Sequence, residues 1–530
     1  MILQISVAYG HGAQAIVQWY YAVSNCWRFW GYTGWGRMSD NYRNGIDEGK
    51  PSSTSGILPS VLYLSGLHLH RHCCMKTYDH IILGTGQATG TLLGRLIPTG
   101  DSIAVIEGGK VGGSCVNYGC TPTKTMVASA KALHQARRGD FFGFETGDIK
   151  LNYARVRERM NEIRNGGSDG LTHWMESTEN VELIRGWGEF AGPKTLRVND
   201  QEITGKKIYI NTGTHPFVPP IDGIKDVPHL DSGGLLDLEE LPGHLLILGG
   251  GYIGVEFSQV FRRFGSKVTL IQGGEQLMPR EDADIANTIQ DFLEEEGVEV
   301  MLTSKATRAQ YIDGQVHLTV MHDGETKVVT GTHLLVATGR RPNSKQLNLK
   351  AAGIEINGRG FIEVNDYCET VVEGVYALGD VNGHGAFTHT SVNDAEITLD
   401  HMFGGSRKIS NRIPIYGLFT DPPLGRVGLT EKAALEKGYK IMKATRPMSK
   451  IARAKEMGET KGIAKLIVDA DTDLILGASI LGPGGDEIIN MFAAIMHSGI
   501  PCRSYREVVL VHPTVSELMP WILDGLQLVE

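Results

Sequence analysis

Short uninterrupted apolar runs punctuate the chain, and most of them end in glycine. "DHIILGTG", "SIAVIEGG", "HLLILGGG", "KVTLIQGG", "IYINTG" and "LLVATG" all have this form. A run of four to six apolar residues bounded by turn signals predicts a strand buried on both faces. Two of these runs lead into a helical pattern: "DHIILGTGQATG" at Gly84 and Gly86, and "HLLILGGGYIGVEF" at Gly249, Gly251 and Gly254. Each is followed by a second strand-like run about 20 residues on. Strand, tight glycine turn and helix form the unit whose helix N-terminus faces a pyrophosphate. The chain is therefore expected to be α/β, with two Rossmann-like dinucleotide-binding units. Further on, "KGIAKLIVDADTDLILGASILG" reads as two strands around a polar turn, with a helix from about Asp486 to His497.

The second strands of the two units are in register. Glu107 follows Gly84, and Gln272 follows Gly249, by the same 23 positions. A carboxylate at this place accepts hydrogen bonds from a ribose diol. Glu107 thus suits an adenosine ribose, whereas neutral Gln272 does not repel a 2′-phosphate and leans towards NADPH or dual use, with Arg280 a nearby candidate cation. Thr89 stands where the first unit's third Gly or Ala belongs, so looser helix–strand packing is expected there. Thr212–Gly213, Thr338–Gly339 and Gly379–Asp380 end later strands, and Asp380 is placed to accept from a polyol.

Composition narrows the class. With 530 residues, 41% hydrophobic and 21% charged, the chain is expected to be soluble and to hold several domains. A net charge of −9 gives no reason to expect nucleic-acid binding, and no run of 18 apolar residues points to a membrane span. Seven cysteines are too sparse for a disulfide-stapled secreted scaffold, so a cytoplasmic location is expected.

Residues 1–74 read differently and are expected to be an N-terminal extension, disordered or the product of a start assigned too far upstream. Their His68, His70, His72, Cys73 and Cys74 are metal-ligand types. No second pair supports a site, and no metal centre is expected.

"GGSCVNYGCTPTK" (112–124) places Cys115 and Cys120 five positions apart. In a regular helix their Cα atoms stand about 8–9 Å apart, beyond disulfide reach. Gly113 and Gly119 permit a departure from helix, and Pro122 suits the first turn of a resumed one. A redox pair leads, with packing thiols and metal ligands left open. Cys26, Cys368 and Cys502 have no partner motif and read as ordinary thiols.

This segment resembles the redox-disulfide segment of the pyridine nucleotide–disulfide oxidoreductases. "ATGRRPN", "YALGD" and "HPTVSE" follow in that family's order, from about Thr77 to Leu523. The resemblance implies an FAD-binding part (75–222), an NAD(P)-binding domain (223–343), a second FAD-binding part (344–411) and a C-terminal α+β dimerisation domain (412–530). It implies that Cys120 lies nearest the flavin and Cys115 attacks the substrate. Lys124 and Glu256 would pair near the flavin, Tyr252 would lid the nicotinamide pocket, and Gly188, Gly379 and Asp380 would touch FAD. His512 would act as acid–base group, oriented by Glu517, on the disulfide of the other subunit of a homodimer.

The branch is less fixed. "VNYGCTPTK" and "GAFTHTS" look most like the mercuric reductase-like flavoproteins, which implies NAD(P)H-dependent reduction of a small disulfide or a soft metal ion. Mercuric reductases carry a vicinal Cys pair near the C-terminus, and the final stretch "LDGLQLVE" has none. The alternatives are a dihydrolipoamide dehydrogenase oxidising a dithiol with NAD, and a non-catalytic redox-sensing or metal-binding flavoprotein.

Overall fold

Each apolar run of the first unit is a strand of one sheet. In the computed structural model, which describes residues 75–529, Lys76–Leu83 lies between Ile103–Glu107 and Gln201–Ile210, parallel to both. Val181–Arg185 adds in parallel beyond Ile103–Glu107. The last parallel member, Val375–Ala377, arrives from far along the chain and pairs with Ile208–Ile210. The short strands Thr195–Val198 and Glu189–Gly192 extend the sheet antiparallel. Ile81, Ile82, Ala104, Val105, Ile208 and Tyr209 are almost wholly buried, as uninterrupted apolar strands covered on both faces must be.

The second unit repeats the design. Four parallel strands run in the order Glu299–Met301, Lys267–Ile271, His244–Leu248, His333–Val336. A three-stranded antiparallel sheet (residues 304–331) is inserted in sequence between Glu299–Met301 and His333–Val336. The C-terminal part is a six-stranded antiparallel sheet. Its predicted strand pair is Ile463–Asp469 with Ile475–Leu481, and its predicted helix runs Gly485–Ser498. The fold is thus the expected one: two Rossmann-like units and an α+β C-terminal part. No helix among the described residues is long and apolar enough to cross a membrane. The His68–Cys74 cluster lies outside the described residues.

The two glycine turns show why glycine is required. Gly84 has φ +98°, and a Cβ there would lie 2.5 Å from the Asn211 carbonyl oxygen. Gly249 has φ +114°, with the Ala337 carbonyl oxygen equally close to a Cβ at 2.5 Å. Neither conformation nor space admits a side chain. Thr89 corrects the expectation of looser packing. It is buried, its hydroxyl donates to the Gly84 carbonyl (2.9 Å), and it accepts from the Asn211 amide (3.0 Å). Asn211 supplies the polar partner that lets a hydroxyl sit in the place of a small apolar residue.

Candidate active site

The cysteine segment breaks the helix as its glycines allow. Cys115 lies in a short helix, Gly113–Asn117, and Cys120 opens the next, Cys120–Ala136, across Tyr118 and Gly119. Both are free thiols in this structure. A hydrogen bond from Cys115 pulls the Cys120 thiol down to about 6, helped by the Thr388 hydroxyl and the Lys124 charge and opposed by burial. The Cys115 thiol is pushed up, because it holds the shared proton and is buried. Thr388 Oγ1 is 3.1 Å from Cys120 Sγ. Position at a helix N-terminus favours the Cys120 thiolate further.

Lys124 follows Cys120 by one helical turn. Its Nζ donates to both Glu256 oxygens, at 3.0 and 2.8 Å. The Glu256 side chain is only 6% exposed, against 31% for Lys124. The backbone N–H of Phe419 also donates to Glu256 (2.9 Å), and the Lys124 ammonium lies 4.6 Å from the Phe419 ring centre. A buried carboxylate with an ammonium and an N–H as partners is fully compensated.

Around the first glycine loop, Glu107 accepts from the Thr85 N–H (2.9 Å) and from the Gly109 N–H (2.7 Å). Gly113 approaches so closely that a Cβ there would lie 2.9 Å from Gly86 Cα. A Cβ on Gly188 would press on Leu83 at 2.8 Å. Gly379 takes φ +71°, and its N–H donates to Asp394 (2.8 Å). Asp380 accepts from the Thr214 hydroxyl (3.0 Å), and burial pushes its carboxyl up. Thr212 donates to the Asn343 carbonyl (3.1 Å), next to Gly213 at φ +64°. Arg340, next to Gly339, donates to the Thr214 hydroxyl (2.7 Å). Glycines that leave no room for a side chain, a helix opening at Gly86 and carboxylates at the strand ends fit FAD.

The second loop is built alike. Gln272 accepts from the Gly250 N–H (3.0 Å), the counterpart of the Thr85 bond to Glu107, and donates to the Gln276 carbonyl (3.2 Å). A Cβ on Gly254 would meet the Gly249 carbonyl oxygen at 2.0 Å, and Gly251 caps the helix that Tyr252 begins. This cradle fits NAD(P)H. The Tyr252 ring stands edge-on to Phe387 and Tyr416, each at 5.6 Å between centres.

His512 Nδ1 faces the Glu517 carboxylate at 2.9 and 3.1 Å. Its side chain is 73% exposed. Val509 and Val511 beside it are 96% and 76% exposed. Among the described residues, the hydrogen-bond partners of His512 are those two oxygens, so one chain does not bring the histidine onto the cysteines. Cys368 and Cys502 are buried and apart from the pair. No group of three or more His, Cys, Asp or Glu among the described residues is placed to hold a metal ion.

Sequence reasoning missed Thr388, Phe387, Tyr416, Phe419, Glu281 and Arg340. The run "AFTHTS" contains two of them, and its Thr between aromatic residues was the available signal. Arg340 lies in "ATGRRPN", where the motif was the signal, and the others carry no local pattern.

Residues 78–395 match the pyridine nucleotide-disulphide oxidoreductase family, and residues 415–523 match that family's dimerisation domain. The chain is 39% identical to the probable pyridine nucleotide-disulfide oxidoreductase RclA of Escherichia coli, over 84% of this chain and 98% of the relative. It is 33% identical to a mercuric reductase of Bacillus cereus, over 83% and 70%, respectively. It is also 33% identical to a dihydrolipoyl dehydrogenase of Thermus scotoductus, over 84% and 96%. A solved structure, the Cu(II) complex of the HOCl-induced flavoprotein disulfide reductase RclA from Escherichia coli, matches at TM-score 0.78 and 38% identity, covering 85% of this chain and 99% of the other. The chain belongs to the pyridine nucleotide–disulphide oxidoreductases, enzymes that use FAD and NAD(P)H.

Proposed function

We propose that the protein is an NADPH-dependent flavoenzyme whose Cys115–Cys120 pair reduces a soft metal ion. The observation that carries the redox reading is the thiol pair itself: a low-pKa Cys120 at a helix N-terminus, bonded by Cys115 and Thr388, one turn from the Lys124–Glu256 pair. The metal-ion acceptor draws on the relative solved as a Cu(II) complex and on the mercuric reductase relatives.

FAD, when bound, supplies the ring that takes a hydride from NADPH and passes two electrons to the disulfide. Lys124, anchored by Glu256, presents a fixed positive charge beside Cys120. Tyr252 covers the nicotinamide end of the second cradle. Gln272 holds the loop without a charge that would repel a 2′-phosphate. Cys115, the protonated member, meets the acceptor once its proton is removed. His512, oriented by Glu517, takes that proton through Nε2 in a site completed by a second copy of the chain. Re-forming the Cys115–Cys120 bond releases two electrons, one to each of two Cu(II) ions or both to one Hg(II).

The test is anaerobic NADPH oxidation with Cu(II), read by a Cu(I)-selective chelator, and with Hg(II) in excess thiol. Turnover lost in Cys115→Ser supports the reading. No turnover, with flavin still reduced by NADPH, overturns the metal-ion acceptor and leaves an organic disulfide, lipoamide first. The dihydrolipoyl dehydrogenase relative makes that the second reading.

A further inference from the structure

Glu281 is a wholly buried carboxylate with an unexpected division of labour. Its Oε1 accepts from the Tyr416 phenol at 2.7 Å and from the Tyr252 phenol at 3.3 Å. Its Oε2 has no hydrogen-bond partner, and Arg426 comes no nearer to it than 3.9 Å. Burying a carboxylate costs several kcal/mol unless it is compensated, so its place calls for a reason. Arg426 offsets part of that cost, while burial still pushes the Glu281 carboxyl up, and Glu281 is not the nearest carboxylate to that guanidinium. Asp282 lies closer to the guanidinium (3.5 Å) and also to buried Lys465 (3.3 Å). Burial holds both phenols above their ordinary range, so both remain O–H donors.

The two phenols belong to different parts of the fold. Tyr252 opens the helix of the second glycine loop, and Tyr416 lies on the first strand of the C-terminal sheet, Ile415–Leu418. Tyr416 stacks on Phe387 at 5.2 Å, and Phe387 precedes the threonine that touches Cys120. Tyr252 stands edge-on to both rings. One carboxylate oxygen therefore fixes the Tyr252 ring against an aromatic wall that continues to the redox thiols.

We propose that Glu281 is a positioning residue for the nicotinamide step, setting the place of Tyr252 through the oxygen shared with Tyr416. This rests on the reading of Tyr252 as the residue over the nicotinamide site. The role belongs to the carboxylate, which among the described residues hydrogen-bonds only the two phenols. The Gln272 loop meets Glu281 through its main-chain carbonyl, by way of Gln276, and a side-chain substitution leaves that bond in place.

Stopped-flow flavin reduction by NADPH in the full-length holoenzyme tests it. Glu281→Leu, which removes the acceptor, slows flavin reduction about fivefold to tenfold, as loss of such a hydrogen bond predicts. Glu281→Gln, whose amide oxygen still accepts, stays within about twofold of wild type. Binding of 2′-phospho-ADP-ribose, which lacks nicotinamide, is unchanged. In a Tyr252→Phe background the Leu substitution adds less than about twofold, because the phenol it acts through is gone. Should Glu281→Leu fail to fold, Glu281→Asp withdraws the oxygen while keeping the charge, and shows the same slowing. Unchanged or faster flavin reduction, equal losses in Leu and Gln, or a matching loss of 2′-phospho-ADP-ribose affinity each overturn the proposal. If Tyr252→Ala itself leaves flavin reduction untouched, the reading of Tyr252 fails and takes this one with it. If Tyr252→Ala slows the step and Glu281→Leu does not, only the role of Glu281 falls.

Discussion

Lys124 and Glu256 are equivalent residues of two different helices: each is the fifth residue of a helix whose first residue belongs to the candidate site, Cys120 in one and Tyr252 in the other. Their 2.8 Å contact therefore ties the redox helix to the nucleotide helix one turn below both termini. Glu256→Ala strands the ammonium and the Phe419 N–H together. It is expected to cost about 1–3 kcal/mol, below the fully buried range because Lys124 keeps a third of its exposure. Urea unfolding of the holoenzyme measures this, and Glu256→Gln, which still accepts from Phe419, should recover part of it.

The Cys120 thiolate titrates at about 6, with the hydrogen bond from Cys115 as the largest cause. The thiolate is present above that pH and is lost below it. Cys115→Ser keeps a donor and Cys115→Ala does not, so the Ala variant should titrate higher, by about one unit. The long-wavelength absorbance of a thiolate beside oxidised flavin, followed against pH, gives both midpoints. Equal midpoints would remove Cys115 as the donor.

Thr388 is the second donor to Cys120, at 3.1 Å. Thr388→Val should raise the same midpoint by less than about one unit, and Thr388→Ser should restore it. The comparison separates the hydroxyl from the methyl group.

His512 and the cysteines are expected to meet only between two chains. Cys115→Ser and His512→Gln should each lower acceptor turnover by at least about 100-fold. Dimers that pair one chain of each kind contain one intact site, and co-expressing two differently tagged variants should restore activity. If the mixed dimer stays inactive, the site lies within one chain.

Gln272 accepts from the Gly250 N–H, and a glutamate can do the same. Gln272→Glu adds a negative charge where a 2′-phosphate would sit. It is expected to lower kcat/KM for NADPH at least about tenfold while sparing NADH. The ratio of the two kcat/KM values is the readout.

The features that were legible in the sequence are those a few residues can encode. The turns at Gly84 and Gly249 and the break between Cys115 and Cys120 each depend on glycine at a fixed spacing, and the His512–Glu517 contact spans five positions. What escaped depends on distance along the chain. Thr388 reaches Cys120 across 268 positions, and Tyr416 reaches Glu281 across 135. Thr89 was misjudged for the same reason: the Asn211 amide that accommodates it lies 122 positions away. Local pattern encodes backbone shape, whereas partner choice is settled only when distant segments pack.

Val375–Ala377 pairs directly with Ile208–Ile210, although more than a hundred residues separate them. During synthesis the segment bearing Cys115 and Cys120 emerges long before the strand that completes its sheet. The intervening parallel sheet, built wholly from residues 244–336, has all its strands in hand first. The nucleotide unit is thus able to close while the redox unit still waits with an unpaired strand edge, a state open to association with other chains. The order of appearance at the ribosome thus seals the redox half after the nucleotide half, and the C-terminal sheet, whose strands begin at Ile415, after both.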